Sequence, residues 1–465
     1  MIFLVTDAAA QARRVAPGTA VSTAAQVAAL PMTVKEMFDE VNTYNAKKFA
    51  EFEQKKIQYS ERLRLQTERE RKQLAVKYAG IIETDKNLTA EEIYYLGMLH
   101  WIAENFEGTA DNLGRFLMTV QNSTDKAQNA RAILVFVAAK QRKFDAALAR
   151  LAEYEKGGPQ KPSEIWRMNS ELAKAYTADK IYDKAAVHAA KGYDAAKTLV
   201  RDPTTRVNPL DATLDAGMLV FEARRASGKV DEADAILVDM RNTAASLGNG
   251  VFYYYAADKL ITYRINSGRK PLALRTYSQV LAEAETLMPV KSQQLEAINR
   301  LRKREKHYEL LGEPAPALVG IDQWFPGTPQ TLADLKGKVV LLDFWATWCG
   351  PCFDAFPELT EWHQDYKRAG LVILGVTRYY GQAEGFSVDH PNEIAFLKRF
   401  KEKENLPYDF VVAKDQETAY AYGATSLPTA ALIDRKGVLR YIESGTNRSR
   451  IEEMREIMLE ILAEK

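Results

Sequence analysis

The sequence predicts a multidomain chain, with an N-terminal all-α helical-repeat domain followed by a C-terminal α/β domain. Three observations predict it. Before about residue 310 apolar residues recur at helical spacing and strand signals are few. Within that stretch one kind of turn returns several times, as it does in stacked helical hairpins. After it come apolar runs of strand length, Val339-Val340-Leu341-Leu342 and Ala430–Asp434, together with both cysteines of the chain. Gly312, Pro314 and Pro316 interrupt helix between the two parts and place a hinge at Leu311–Pro316. The expected division is 1–32, a disordered N-terminal segment or signal-peptide remnant; 33–310, α-helical repeats; and 311–465, the α/β domain.

The first segment opens on Met1-Ile2-Phe3-Leu4-Val5, which is too short for a signal core and has no basic residue before it. Ala10-Gln11-Ala12 has the small-x-small form of a cleavage site, and a polar, Ala/Thr-rich stretch follows to about Leu30. One reading is the tail of a signal peptide that starts upstream.

Thr33-Val34-Lys35-Glu36 has capping-box spacing. A charged segment follows to about Tyr78. Its apolar residues, Val34, Met37, Phe38, Val41, Phe49, Phe52, Tyr59 and Leu63, suit one buried face of a long helix lying across the domain. An intermolecular coiled coil is the weaker alternative, because the seam breaks at the polar run Gln66–Gln73. Thr89-Ala90-Glu91-Glu92 is a second capping box, opening a helix through Phe106.

From about 125 to 300 the returning turns are Lys143-Phe144-Asp145-Ala146-Ala147, Ile181-Tyr182-Asp183-Lys184-Ala185-Ala186, Lys229-Val230-Asp231-Glu232-Ala233 and Arg269-Lys270-Pro271-Leu272-Ala273. Counted at Phe144, Tyr182, Val230 and Pro271, the spacings are 38, 48 and 41 residues. A regular tetratricopeptide repeat has a period of about 34. The units therefore resemble degenerate tetratricopeptide-like hairpins, whose stacked concave faces bind other proteins. Small residues in the second helices would let them pack closely. Phe252-Tyr253-Tyr254-Tyr255 fits either a binding surface or an aromatic core stripe where two hairpins meet. The basic stretch Arg300–Lys306 reads as the end of a helix.

Lys+Arg and Asp+Glu nearly cancel, 63 against 62. That argues against a nucleic-acid surface, which needs clustered positive charge. No apolar run is long enough to span a membrane. The helical region carries no metal-ligand spacing, phosphate loop or nucleophile elbow.

The two cysteines stand three positions apart in Trp348-Cys349-Gly350-Pro351-Cys352, behind an apolar strand and ahead of a helix-like segment. In that context Cys-x-x-Cys reads as thioredoxin-like redox chemistry. Thiolate attacks a disulfide, so the attacking cysteine needs a lowered pKa. Cys349 is placed at a helix N-terminus, where unpaired N–H groups and the helix dipole favour negative charge. Cys352, one turn on, is the resolving thiol. Pro351 suits the first helical turn and stiffens the ring, and Gly350 leaves room for a partner chain. Three alternatives compete. Half of a zinc site would need ligands that the scattered His100, His188, His307, His363 and His390 do not offer. A structural disulfide would close almost no loop. The third is a redox site that has lost its substrate.

Asp343 precedes Cys349 by six residues, inside the strand Val339–Trp345. Burial there would raise its pKa and fit it to take the proton of Cys352. The alternative is an aspartate that only caps the helix. Thr425-Ser426-Leu427-Pro428-Thr429 comes just before a strand. A cis Leu427–Pro428 bond would let Leu427 present backbone groups to an extended substrate, and an ordinary turn is the other reading.

Together these residues resemble the TlpA/ResA-like branch of the thioredoxin superfamily. The resemblance begins at Gly312-Glu313-Pro314-Ala315-Pro316-Ala317-Leu318. It continues from Leu332 through Cys352, then at Pro357, Leu427-Pro428-Thr429 and Leu432-Ile433-Asp434-Arg435-Lys436-Gly437. It implies a thioredoxin fold over 311–465, a thiol-disulfide oxidoreductase, a cis Pro428, a helix kink at Pro357 and a substrate groove beside Cys349. Two positions depart from the branch. Ala355 stands where many members carry glutamate, and Asp343, the thioredoxin choice, stands where many carry asparagine. Proton handling is therefore thioredoxin-like, and the branch's role in apocytochrome c reduction is not carried over. Leu342 and Ala346 occupy the positions where a peroxiredoxin needs proline and threonine.

The expected activity is reduction of protein disulfides. Cys349 attacks, Cys352 resolves and Asp343 assists. Trp348, Gly350, Pro351, Leu427 and Pro428 form the substrate side, and Trp345 packs beneath the motif. No bound cofactor is needed, because electrons arrive by thiol exchange. The resemblance implies an extracytoplasmic location in a bacterium, such as the periplasm, and a thiol electron donor, there a membrane reductase. A cytoplasmic enzyme is the alternative location. The rival functions are a protein-binding scaffold with an accessory thioredoxin module, and a disulfide oxidase or isomerase.

Overall fold

The computed structural model describes residues 32–120, 124–200, 205 and 208–464. The expected N-terminal disordered segment, with Ala10–Ala12, lies outside these residues. The chain divides into two compact units, one running to Val137 with Gly157–Pro159, the other comprising Ala138–Lys156 and Gln160–Lys465.

The first unit holds α1 (Val34–Gln54), α2 (Glu61–Ile82), α3 (Ala90–Ile102), α4 (Phe106–Thr119) and most of α5 (Asp125–Lys140). Both capping boxes form. Thr33 Oγ1 accepts from Glu36 N while Glu36 Oε2 accepts from Thr33 N, and Thr89 and Glu92 repeat the arrangement. The single long helix expected from Val34 to Tyr78 is instead a helical hairpin. Lys56 takes a left-handed φ of 53° and Ser60 caps α2 by accepting from Leu63 N. The apolar spacing continued across the turn because both helices bury a face in the same unit. Val34, Met37 and Val41 are buried, whereas Tyr59, in the turn, is exposed. The helix expected through Phe106 likewise stops at Ile102, where Glu104 turns left-handed and Asn105 caps α4.

The second unit begins with α6 (Phe144–Lys156), α7 (Pro162–Ala178), α8 (Tyr182–Leu199), α9 (Pro209–Ala226), α10 (Val230–Ser246), α11 (Gly250–Asn266), α12 (Lys270–Leu287) and α13 (Lys291–Leu310). From α6 on, each helix packs on the next. The four recurring turns open α6, α8, α10 and α12. Each is preceded by a left-handed residue, Arg142, Lys180, Gly228 or Gly268. Ala185, Ala189 and Ala196 are buried on α8 and keep its neighbours close. Phe252, Tyr253 and Tyr254 form a core stripe, with Tyr253 OH donating to Val280 O at 2.9 Å, while Tyr255 remains partly exposed. The basic stretch Arg300–Lys306 does not end a helix. It lies inside α13, whose Arg304 is buried because it faces carboxylates.

A six-stranded mixed sheet follows: β1 (Ile321–Phe325), β2 (Val339–Phe344), β3 (Leu371–Arg378), β6 (Asp409–Ala413), β7 (Thr429–Ile433) and β8 (Leu439–Ser444), in the order β1-β6-β3-β2-β7-β8. β2–β3 and β3–β6 are parallel and the other pairs antiparallel. A small hairpin, β4 (Gln382–Ala383) with β5 (Phe386–Ser387), leaves the sheet after β3. With α14 (Gly350–Phe353), α15 (Phe356–Tyr366), α16 (His390–Lys403), α17 (Glu417–Ala421) and α18 (Arg448–Ala463) around it, this is a thioredoxin-like fold. Every residue of β2 is buried, as befits a central strand covered on both faces. One core runs from Tyr253, Leu260 and Tyr308 of the helices to Val340, Leu342 and Val376 of the sheet. A second core, on the opposite face, holds both cysteines with Leu341, Leu359, Trp362 and Met458.

Leu311–Pro316 breaks the helix as expected but is not a free hinge. Leu311 is buried, Gly312 N donates to Leu439 O at 2.8 Å, and Leu439 N returns a bond to Glu313 O at 2.9 Å. Ala315 N donates to Gly437 O, so the connector is laced to the β7–β8 hairpin. Glycine and proline stop a helix, but they do not decide whether the freed backbone finds a partner.

Candidate active site

β2 delivers the chain to the site. Beyond its end Trp345 N donates to Val376 O, and the chain turns into α14, with Cys349 as the residue before the first helical position. Cys352 N donates to Cys349 O at 3.0 Å, closing the turn. The two sulfurs form a disulfide with the Cα atoms 5.4 Å apart. Both cysteines are buried, Cys349 being 4% exposed and Cys352 1%. Pro351 sits in the first turn of α14, and Thr446 Oγ1 holds its carbonyl at 3.1 Å. The helix behind Cys349 is short. It breaks at Asp354–Ala355, ahead of Pro357 in the first turn of α15. Proline removes a helical N–H and crowds the preceding turn, so the dipole directly behind Cys349 is that of one turn.

Around the motif the expected residues take separate places. Trp345 is 1% exposed, stacked on Phe400 and edge-on to Phe356 and Phe410. Trp348 is 56% exposed and meets Tyr380 edge-on at 5.4 Å. The Arg378 guanidinium lies 4.1 Å from the Tyr380 ring centroid. The Leu427–Pro428 bond is cis, and Gly445 N donates to Pro428 O at 2.8 Å. Leu427 is partly buried and packs against both cores. Among the described residues no group of three or more His, Cys, Asp or Glu side chains is placed to share a metal ion.

Asp343 is 2% exposed, and its Oδ2 has no hydrogen-bond partner among the described residues. Burial disfavours the charged form and pushes its carboxyl up to about 7. Register places Asp343 opposite Ala430 on β7, and Ala430 opposite Glu443 on β8. Directly paired residues share a face, so the two carboxylates lie in one row across three strands. A cavity of about 20 Å³ is lined by Asp343, Ala355, Pro428, Ala430, Glu443 and neighbouring residues of α18.

Glu443 and its partners are what sequence reasoning missed. Glu443 Oε2 lies 2.8 Å from Arg304 Nη2 of α13, and its Oε1 lies 3.1 Å from Arg450 Nη2 of α18. Arg304 also bonds Asp258 Oδ1 at 3.0 Å and Ile442 O at 2.9 Å. A signal was present, since Tyr441-Ile442-Glu443 puts a carboxylate into an apolar strand. The same signal drew attention to Asp343. The partner arginine, 139 positions earlier on a helix, left no local trace.

Comparison with known proteins bears on this domain. The Redoxin family model matches residues 310–458. The thiol-disulfide oxidoreductase ResA of Geobacillus kaustophilus is 33% identical over 142 residues, which cover 30% of this chain and 74% of that protein. ResA of Bacillus thuringiensis is 31% identical over 144 residues, covering 31% of this chain and 75% of its own length. A solved thiol:disulfide interchange protein of the thioredoxin family from Chlorobium tepidum is 22% identical, covers 32% of this chain and 96% of that one, and has a TM-score of 0.27.

Proposed function

The chain belongs to the ResA-like thiol-disulfide oxidoreductases of the thioredoxin superfamily, and from that premise we propose that it reduces protein disulfides at Cys349. The observation that carries this reading is the Cys349–Cys352 disulfide on the first helical turn after β2, the strand that holds the buried Asp343. In the reduced protein the Cys349 thiolate attacks one sulfur of a client disulfide, and the other client sulfur leaves as a thiolate and takes a proton. Asp343 accepts the proton of Cys352. The Cys352 thiolate then attacks Cys349 Sγ, the second client thiolate departs, and the disulfide seen here remains. Two electrons have passed to the client, and a thiol donor must return them.

Trp348, Gly350, Pro351, Leu427 and Pro428 form the client side of this site. Residues 311–465 act as the catalytic module. The helical region, 33–310, recruits or positions protein partners, on a tetratricopeptide-like plan of hairpins. The protein works outside the cytoplasm, where a membrane-embedded reductase is the donor. Among the described residues no helix is long and apolar enough to cross a membrane.

The test is turnover of a disulfide-bonded client with Cys349→Ser and Cys352→Ser. Cys349→Ser is expected to lose all turnover with its circular dichroism unchanged, and Cys352→Ser to accumulate a mixed disulfide. Full biological function in a Cys349→Ser strain would favour the scaffold reading instead. The pair's reduction potential decides direction: roughly −270 mV, as in thioredoxin, supports reduction, and roughly −120 mV, as in DsbA, makes the protein an oxidant.

A further inference from the structure

Glu443 lines two spaces. One is the 20 Å³ cavity it shares with Asp343. The other is a cleft of about 270 Å³ between α11 and α18, lined among others by Asp258, Lys259, Arg304, Glu443 and Glu453. The inner cavity exists because the residue between the two carboxylates in the cross-strand row is Ala430, and because Ala355 roofs it from the helix side. Two strand spacings put the Asp343 and Glu443 backbones about 10 Å apart. Two side chains and one water bridge such a distance. A cavity of this size meets the roughly 10–15 Å³ that a single water needs, and Asp343, whose Oδ2 has no hydrogen-bond partner among the described residues, is one of its lining residues.

We propose that Glu443 is the proton partner of Asp343: one water in this cavity links the two carboxylates, and the proton that Asp343 takes from Cys352 leaves through Glu443 to the cleft. This role rests on Asp343 being the proton acceptor. The steps balance without a further reactant. Cys352 S–H and the Asp343 carboxylate become a thiolate and a carboxylic acid. The acid passes its proton through the water to the Glu443 carboxylate, and Glu443 releases it into the cleft. Glu443 touches neither client nor sulfur, so it is a positioning residue.

The surrounding charges suit the task. Asp343 is faced by Tyr408, whose hydroxyl burial and the nearby Asp343 charge keep protonated. Glu443 is faced by Arg304 of α13, Asp258 of α11, and Arg450 and Glu453 of α18. Burial raises its carboxyl to about 7 against the pull of the two arginines, beside that of Asp343. Burial thus pushes both carboxyls upward, so each can hold a proton near neutral pH.

The experiment mixes the reduced full-length protein rapidly with a chromogenic aryl disulfide. The second aryl thiolate released reports resolution by Cys352, read from pH 5.5 to 9. Asp343 must be ionised to act, so the rate should rise with pH through a midpoint near 7. Glu443→Gln removes a negative charge from the row and should lower that midpoint. Ala430→Val fills the cavity, strips the last solvent from Asp343 and should raise the midpoint. Opposite shifts support the role; rates that change while the midpoint stays put in both variants overturn it. If Glu443→Gln fails to fold, Ala430→Val decides alone, and an unmoved midpoint overturns the role. Asp343→Asn separates the premise from the proposal. Loss of the pH step keeps the premise, and a midpoint retained in Asp343→Asn sinks the Asp343 reading itself.

Discussion

Asp343 places a cost on the fold as well as a proton at the site. Its carboxyl is raised from 3.8 to about 7, so ionising it in the folded state opposes stability. The penalty is absent below the unfolded pKa, grows as pH rises from about 4 to 7, and is complete above the folded pKa. The full penalty is on the order of 4 kcal/mol. Asp343→Asn should therefore melt above the parent at pH 8 and level with it at pH 4; equal gains at both would show that the carboxylate is not desolvated. At this scale much of the site was legible. The cysteine spacing, the acidic residue in an apolar strand and Leu427-Pro428 before a strand are all local patterns. What was not legible depends on pairing across strands. Glu443 acquires meaning only when register sets it in line with Ala430 and Asp343, and register is a property of three segments together.

At the scale of elements, the helical repeats were visible through their turns, and their boundaries were not. Phe144, Tyr182 and Val230 each open a helix and Pro271 falls in the first turn of another, but the long helix expected to Tyr78 folds back at Lys56. Apolar spacing cannot report a reversal when both arms bury their faces in one unit, and Ser60 ahead of Glu61 was the faint capping signal. Close helix approach is equally silent in periodicity. Gly250 starts α11 against α13, and a Cβ there would stand 2.2 Å from Gln293 O, a backbone atom that cannot turn aside. Gly250→Ala should destabilise the protein by about 1–3 kcal/mol, as overpacking does. An unchanged denaturant midpoint would mean the two helices can part freely.

Across the whole second unit, sheet and helices α7–α13 share a core and a charged seam. Arg304 joins Asp258 to Glu443, His307 meets Gly423 O at 3.1 Å, and Lys259 pairs with Glu453. Cutting the chain before residue 311 would strip Glu443 of Arg304 and open the apolar face behind Val340 and Leu342. A fragment of residues 311–465 should consequently melt well below the full chain and bind a hydrophobic dye; matching melting curves would show that the thioredoxin fold owes the helices nothing. The connector has a further consequence. β8 is the last strand of the sheet, and an open edge offers bare amides and carbonyls to any passing strand. Here Gly312 and Glu313 take both groups of Leu439, and Arg304 takes the carbonyl of Ile442. The passage from helices to sheet thus serves as a guard rail. It covers the start of that edge, where a neighbouring molecule would otherwise find a template for fibrils or swapped dimers.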